Sequence, residues 1–127
     1  MEPARLRRNY VNGPFGQIHL RLAGSSRTSR RPLVCFHISP LSGAVYETWL
    51  AEMGKDRLAV APDTPGFGMS DPPATPPTIR DYAEAMAEVL DDLDVNEFDL
   101  MGYHTGSKIA VELAKRRHRM VKRVLYR

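Results

Sequence analysis

The sequence is poor in cysteine, with Cys35 alone among 127 residues. No internal disulfide can form, and a disulfide scaffold is excluded. The four histidines include no H-E-x-x-H run and there is no C-x-x-C pair, which removes the common zinc modules. No apolar run approaches the ~20 residues of a membrane span, and the opening Met1-Glu2-Pro3-Ala4-Arg5 carries no hydrophobic stretch of the secretion-signal kind. The cytoplasm is the expected compartment, with no membrane partner. Excess charge is scarce as well. The net is +3, and Lys115, Arg116, Arg117, Arg119, Lys122 and Arg123 account for it, so the rest of the chain is slightly acidic. That is one local patch, not a field for polyanions. Stacked aromatic platforms and a base-reading helix are missing too, so nucleic acid is not an expected partner. The patch reads as a solvated face at a helix C-terminus, where cations complement the dipole.

What is present is an ordinary globular composition, 43% hydrophobic and 26% charged. One domain over 1–127 is expected, burying roughly two-thirds of its unfolded surface. Gln17-Ile18-His19-Leu20-Arg21-Leu22 alternates apolar and polar residues and predicts a half-buried strand near a sheet edge. Pro32-Leu33-Val34-Cys35-Phe36 and Leu58-Ala59-Val60-Ala61 are continuously apolar, as strands covered on both faces are. Between them Val45, Trp49, Leu50 and Met53 recur at helical spacing before Gly54, which predicts a helix over 44–53 with Trp49 in the core. Cys35, in mid-strand, is expected to be an inert buried thiol.

Residues 62–77 hold six of the ten prolines and are expected to form a rigid, exposed loop. Thr78 and Asp81 have the spacing of a capping box, and Tyr82, Met86, Val89, Leu90 and Leu93 form an apolar helical stripe behind it. A strand over 98–101, a helix over 105–117 and a strand over 121–126 complete the pattern. Alternation of strand and helix predicts a three-layer α/β architecture built on a mainly parallel open sheet, with ligands beyond the carboxyl ends of the strands.

The most informative stretch is Leu100-Met101-Gly102-Tyr103-His104-Thr105-Gly106-Ser107. A strand turns into a helix through two glycines around a strained central residue, the shape of a nucleophile elbow, G-x-S-x-G, with His104 at its centre. Here the chain resembles the α/β-hydrolase family, from about Tyr10 to Tyr126. His37-Ile38-Ser39-Pro40 stands where that family has its oxyanion loop, and Asp63-Thr64-Pro65-Gly66-Phe67-Gly68-Met69-Ser70-Asp71 is similar to its D-x-P-G-F/Y-G-x-S-D segment.

The resemblance implies hydrolysis of a small ester or related carbonyl substrate without a cofactor or metal, with the Ser39 and Thr105 amides as the oxyanion hole. Ile38, in place of the customary glycine, narrows the loop. Two departures bear on activity. Histidine fills the nucleophile slot, and the 21 residues after Gly106 hold only Glu112 and His118, both on or near the elbow helix, as acid and histidine. The resemblance therefore implies a partial domain that ends after the strand following the elbow helix, inactive in isolation.

His104 can serve as nucleophile, as general base beside a helix start that disfavours imidazolium, or as a structural occupant. His37 is expected to brace the oxyanion loop. Asp63 is expected to cap the amides of the turn 65–68, with Ser70 and Asp71 acting alike. Tyr103 lines either a substrate pocket, together with Ile38, or the core. A different class of function is also open: a non-catalytic interaction module using the strand 121–126 as an exposed edge for self-association.

Overall fold

The computed structural model describes residues 2–127, so Met1 of the opening stretch lies outside the described residues. Six strands form one sheet, β1 (Arg7–Gly13), β2 (Gly16–Ala23), β3 (Leu33–Phe36), β4 (Ala59–Pro62), β5 (Phe98–Gly102) and β6 (Val121–Tyr126). Their spatial order is β1-β2-β4-β3-β5-β6. β1 and β2 form an antiparallel hairpin, β2 runs antiparallel to β4, and β3, β4, β5 and β6 are mutually parallel. β1 has no counterpart in the sequence reading. It displaces β2 from the edge, and His19 and Arg21, expected on an open face, are 3% and 8% exposed.

A 3₁₀ turn (Gly43–Tyr46) leads into α1 (Glu47–Met53); α2 (Ile79–Asp92) and α3 (Thr105–Arg116) follow. The crossover from β3 to β4 moves one way along the sheet and those from β4 to β5 and β5 to β6 the other. Right-handed crossovers of opposite direction place their helices on opposite faces, so α1 covers one side and α2 and α3 the other. Two cores result. Leu20, Val34, Phe36, Leu100, Met86, Leu90, Ile109 and Leu113 fill the α2/α3 side. Cys35, Tyr46, Leu50, Ala59 and Ala61 fill the α1 side.

Thr78 caps α2 as expected, with its hydroxyl accepting from the Asp81 amide at 3.1 Å while Asp81 Oδ2 accepts from the Thr78 amide at 2.9 Å. The 44–53 stripe divides differently. Leu50 and Tyr46 go inward, whereas Trp49 is 38% and Val45 49% exposed, because α1 sits over β2 and β4 and leaves the β5–β6 face beside it open. Trp49 there joins Met53, Met101 and Leu125 around a shallow depression. Met86 is fully buried, in line with its place on the α2 stripe.

The basic patch is less free than its sequence implies. Lys115 and Arg116 occupy the last turn of α3, but Arg116 reaches Glu84 at 2.9 Å and Arg117 forks onto Asp91 at 3.0 and 2.9 Å, tying the end of α3 to α2. At the opposite end of the sheet from the elbow, Arg57 and Arg31 hold Asp99 at 2.9 and 3.0 Å. Burial raises the Asp99 carboxyl, and hydrogen bonds and charge from the two arginines outweigh it, leaving the group below its ordinary value.

Candidate functional site

β3 and β5 are neighbours whose outgoing loops leave toward opposite faces of the sheet. Such a switch point opens a crevice at the carboxyl ends of the strands. His37-Ile38-Ser39 leaves β3 there and Tyr103-His104 leaves β5, with Phe36 and Gly102 in register.

The turn after β5 is a tight elbow. His104 has φ 54° and ψ −117°, a left-handed conformation that costs a non-glycine residue about 1–3 kcal/mol. Both flanking glycines are required by close approach. A Cβ on Gly102 would collide with the Gly106 carbonyl, and one on Gly106 with the Phe36 carbonyl, because α3 starts directly over the ends of β5 and β3. The His104 carbonyl accepts from the Ser107 amide and hydroxyl at 2.9 and 2.6 Å, and its own amide donates to the Arg127 carbonyl at 2.7 Å. Its ring is exposed, makes no hydrogen bond among the described residues, and meets the Tyr103 ring edge-on at 4.4 Å.

The Thr105 and Ser39 amides likewise donate to no acceptor among the described residues. Thr105 stands at the first position of α3, where a helical amide has no intrahelical acceptor. A cleft of about 670 Å³ is lined by their chain neighbours Ile38 and Tyr103, with Leu41, Tyr46, Met101 and Leu125 among others. Ile38 and Tyr103 thus face the same space, and Tyr103, 45% exposed, is not a core residue.

His37 is 1% exposed and both ring nitrogens are committed. Nε2 lies 3.0 Å from the Thr64 amide nitrogen, and since a backbone N–H only donates, Nε2 accepts. The proton therefore sits on Nδ1, which donates to the Ile38 carbonyl at 2.8 Å. Burial lowers the pKa of His37 and outweighs the Ile38 carbonyl and the Asp63 charge, which raise it. The imidazole is a neutral strut between the loop that leaves β3 and the residue after Asp63.

Asp63, fully buried, is more than a turn cap. Of the amides near the 65–68 turn it takes Met69 instead, at 3.0 Å on Oδ2, which also faces His19 Nδ1 at 3.0 Å. Oδ1 accepts from the Gly43 amide at 2.7 Å and from Arg21 at 3.2 Å. Arg21 reaches on to Glu47 at 2.8 Å. One carboxylate thereby joins β2, the 3₁₀ turn and the proline-rich loop. Ser70 donates to the Asp63 carbonyl at 2.8 Å and accepts from the His19 amide, and Asp71 accepts from the Gln17 amide at 2.8 Å, so the two fasten the loop to β2 as well as to itself, and Asp63, Thr64 and Ser70 are buried where an exposed loop was expected.

Sequence reasoning missed His19, Arg21, Glu47 and Tyr46, whose hydroxyl donates to the Phe36 carbonyl at 2.8 Å. A signal existed for the first two: a buried Asp63 needs cationic or donor partners, and His19 and Arg21 share one face of their strand. Glu112 pairs with Arg116 and His118 is exposed in the turn after α3, so neither approaches the elbow. Cys35 is inert as expected, its thiol pushed up to about 12 by burial.

No family model matches this chain. A 2-hydroxymuconate semialdehyde hydrolase of Pseudomonas sp. (strain CF600) is 35% identical over 98 residues, which cover 74% of this chain and 35% of that protein. Among solved structures, an epoxide hydrolase superposes with a TM-score of 0.89 at 23% identity, over 96% of this chain and 42% of the other. An N-acyl homoserine lactonase in complex with N-hexanoyl homoserine superposes with a TM-score of 0.81 at 28% identity, over 94% of this chain and 44% of the other. The chain spans about a third of the first of these relatives and about two-fifths of the solved structures.

Proposed function

We propose that this chain, which belongs to the α/β-hydrolase fold family, supplies the elbow side of a site that hydrolyses a small ester or related carbonyl compound. What supports this reading is the elbow itself: among the described residues the His104 ring has no hydrogen-bond partner and the Ser39 and Thr105 amides have no acceptor, and each lies within two residues of a wall of an apolar cleft, Ile38 or Tyr103. Carbonyl hydrolysis passes through an oxyanion, and amides that donate to it stabilise that charge more than the ground-state carbonyl. The cleft takes the apolar part of the substrate, with Ile38 and Tyr103 as walls. The chemistry draws on imidazole and backbone donors, so the reading needs no cofactor, and it takes the cytoplasm as its compartment.

Sustained turnover of alkyl esters needs a proton donor for the leaving alkoxide. The only other carboxylate and histidine after the elbow, Glu112 and His118, lie away from it. The 127 residues alone are therefore expected to bind such esters without turning them over. Titration with ethyl hexanoate, followed by amide NMR, should shift Ser39, Thr105 and the cleft residues and release no ethanol. Shifts confined to other regions would reject the site; steady ethanol release that His104→Ala abolishes would reject the inactivity.

A non-catalytic reading has one observation in its favour. Among the described residues β6 is bonded only to β5, and its Leu125 and Tyr126 are 64% and 61% exposed. Self-association through this edge follows as the alternative, and a monomer in sedimentation at micromolar concentration would discard it.

A further inference from the structure

We infer that the β1–β2 hairpin carries a second binding site, above Asp63, for an aromatic carboxylate with a hydroxyl at its far end. A cleft of about 480 Å³ lies there, walled by Arg8, Tyr10, His19, Arg21 and Met69 with Asn9. It shares no wall with the apolar cleft of Ile38 and Tyr103.

His19 supplies the fixed point. It is 3% exposed, and its Nδ1 lies 3.0 Å from Asp63 Oδ2. The Asp63 carboxylate also accepts from Gly43, Met69 and Arg21, so it is the acceptor here too, Nδ1 donates, and the neutral ring holds its lone pair on Nε2. Nε2 has no hydrogen-bond partner among the described residues. It is not sealed away either, because the one side-chain nitrogen or oxygen enclosed without a partner among them is Arg116 Nε. Nε2 therefore opens into the cleft that its ring lines. An acceptor held this firmly and left unsatisfied takes a hydrogen bond from whatever donor fills the space.

The opposite end offers a cation. Pairing in the hairpin sets Arg8 directly across from Arg21 and Tyr10 across from His19, so all four side chains stand on one face. Arg21 is spent on Glu47 and Asp63, whereas Arg8 enters no ion pair among the described residues. Its guanidinium fork is free to take a carboxylate in bidentate fashion. Arg8 and His19 are two residues apart along the strands, about 7 Å, and a para-substituted benzene ring separates a carboxylate from a hydroxyl by a similar length. Short hydroxy acids hold the two groups too close together to reach both. Tyr10, whose ring packs on His19 at 5.1 Å, and the exposed Met69 flank the gap with surface suited to a flat aromatic body.

The test titrates the 127-residue chain at pH 8 with 4-hydroxybenzoate, followed by backbone and histidine-ring NMR. Saturable shifts should appear at Arg8, Tyr10, Met69 and His19 Nε2 and spare Ile38 and Tyr103. Benzoate, which lacks the donor, and 4-hydroxybenzamide, which lacks the charge, should each bind about 10-fold more weakly. Arg8→Gln, at a residue with no ion pair to lose, should weaken 4-hydroxybenzoate to the level of 4-hydroxybenzamide. His19→Gln should weaken it to the level of benzoate; if that variant does not fold, the benzoate comparison reads the same hydrogen bond. Equal binding of 4-hydroxybenzoate and benzoate would overturn the inference, as would full affinity in Arg8→Gln. So would equally tight binding of 2-hydroxybenzoate, which cannot span the gap. An absence of saturable shifts, or shifts confined to 115–123, the mark of general attraction to the basic patch, would also reject the site.

Discussion

Asp63 and His104 stand at the same edge of the sheet, one strand apart, and the fold treats them oppositely. Asp63 is sealed from water and its two oxygens receive four donors, from Gly43, Met69, His19 and Arg21. His104 is exposed, its ring is unpaired, and its backbone sits in a conformation that glycine would adopt more readily. A saturated buried charge holds loops in place. The His104 ring, on a strained backbone, has only its edge-on packing against Tyr103 to hold it and forms no link between elements among the described residues. The elbow is accurate because the Asp63 cluster and the His37 strut fix the loops around it.

Removing the saturated side of that contrast should have the largest effect. Asp63→Ala leaves His19, Arg21 and two loop amides without their acceptor, and denaturant unfolding at pH 7 should show a loss of about 3–5 kcal/mol. A loss below about 1 kcal/mol would break the comparison.

Acid should act next, through His37. Its folded pKa lies below the ordinary 6.5 because burial disfavours the charged ring, so the unfolded chain binds the extra proton first. The stability it contributes is complete above 6.5 and is lost as pH falls from 6.5 toward the folded value. The unfolding midpoint should therefore drop between pH 6.5 and 5, before most carboxylates titrate. His37→Gln should be less stable at neutral pH and flatter across that window; an equally steep profile in the variant would assign the loss elsewhere.

The smallest effect should carry the opposite sign. His104→Gly relieves the left-handed strain and removes no hydrogen bond of the ring, so the protein should gain about 1 kcal/mol by thermal or chemical unfolding. A loss instead would mean that the ring is held by its surroundings, and that His104 belongs with Asp63 on the structural side.

Much of this was legible in order along the chain. The apolar runs of β3 and β4, the Thr78–Asp81 box and the Gly102–Gly106 spacing each express a local requirement, such as burial on both faces, satisfaction of helix amides, or space at a turn. The elbow was readable because both glycines answer steric needs within one turn and its neighbouring strand. β1 was not, because Arg7–Gly13 is exposed along most of its length and shows no apolar period. Trp49 was placed in the core because helical spacing says which residues share a face but not how far the sheet beneath that face is covered.

The sequence by itself determined the order of the elements from β2 onward, the buried stripe of α2, and the strained turn that puts His104 at the sheet edge, because these follow from interactions within a few residues. Only the tertiary structure decided that His19, Arg21, Gly43 and Met69 converge on one carboxylate, and that Ile38 and Tyr103 share one cleft. Those groups come from segments up to 65 residues apart, and their meeting is fixed by strand order and crossover direction, which no local pattern encodes.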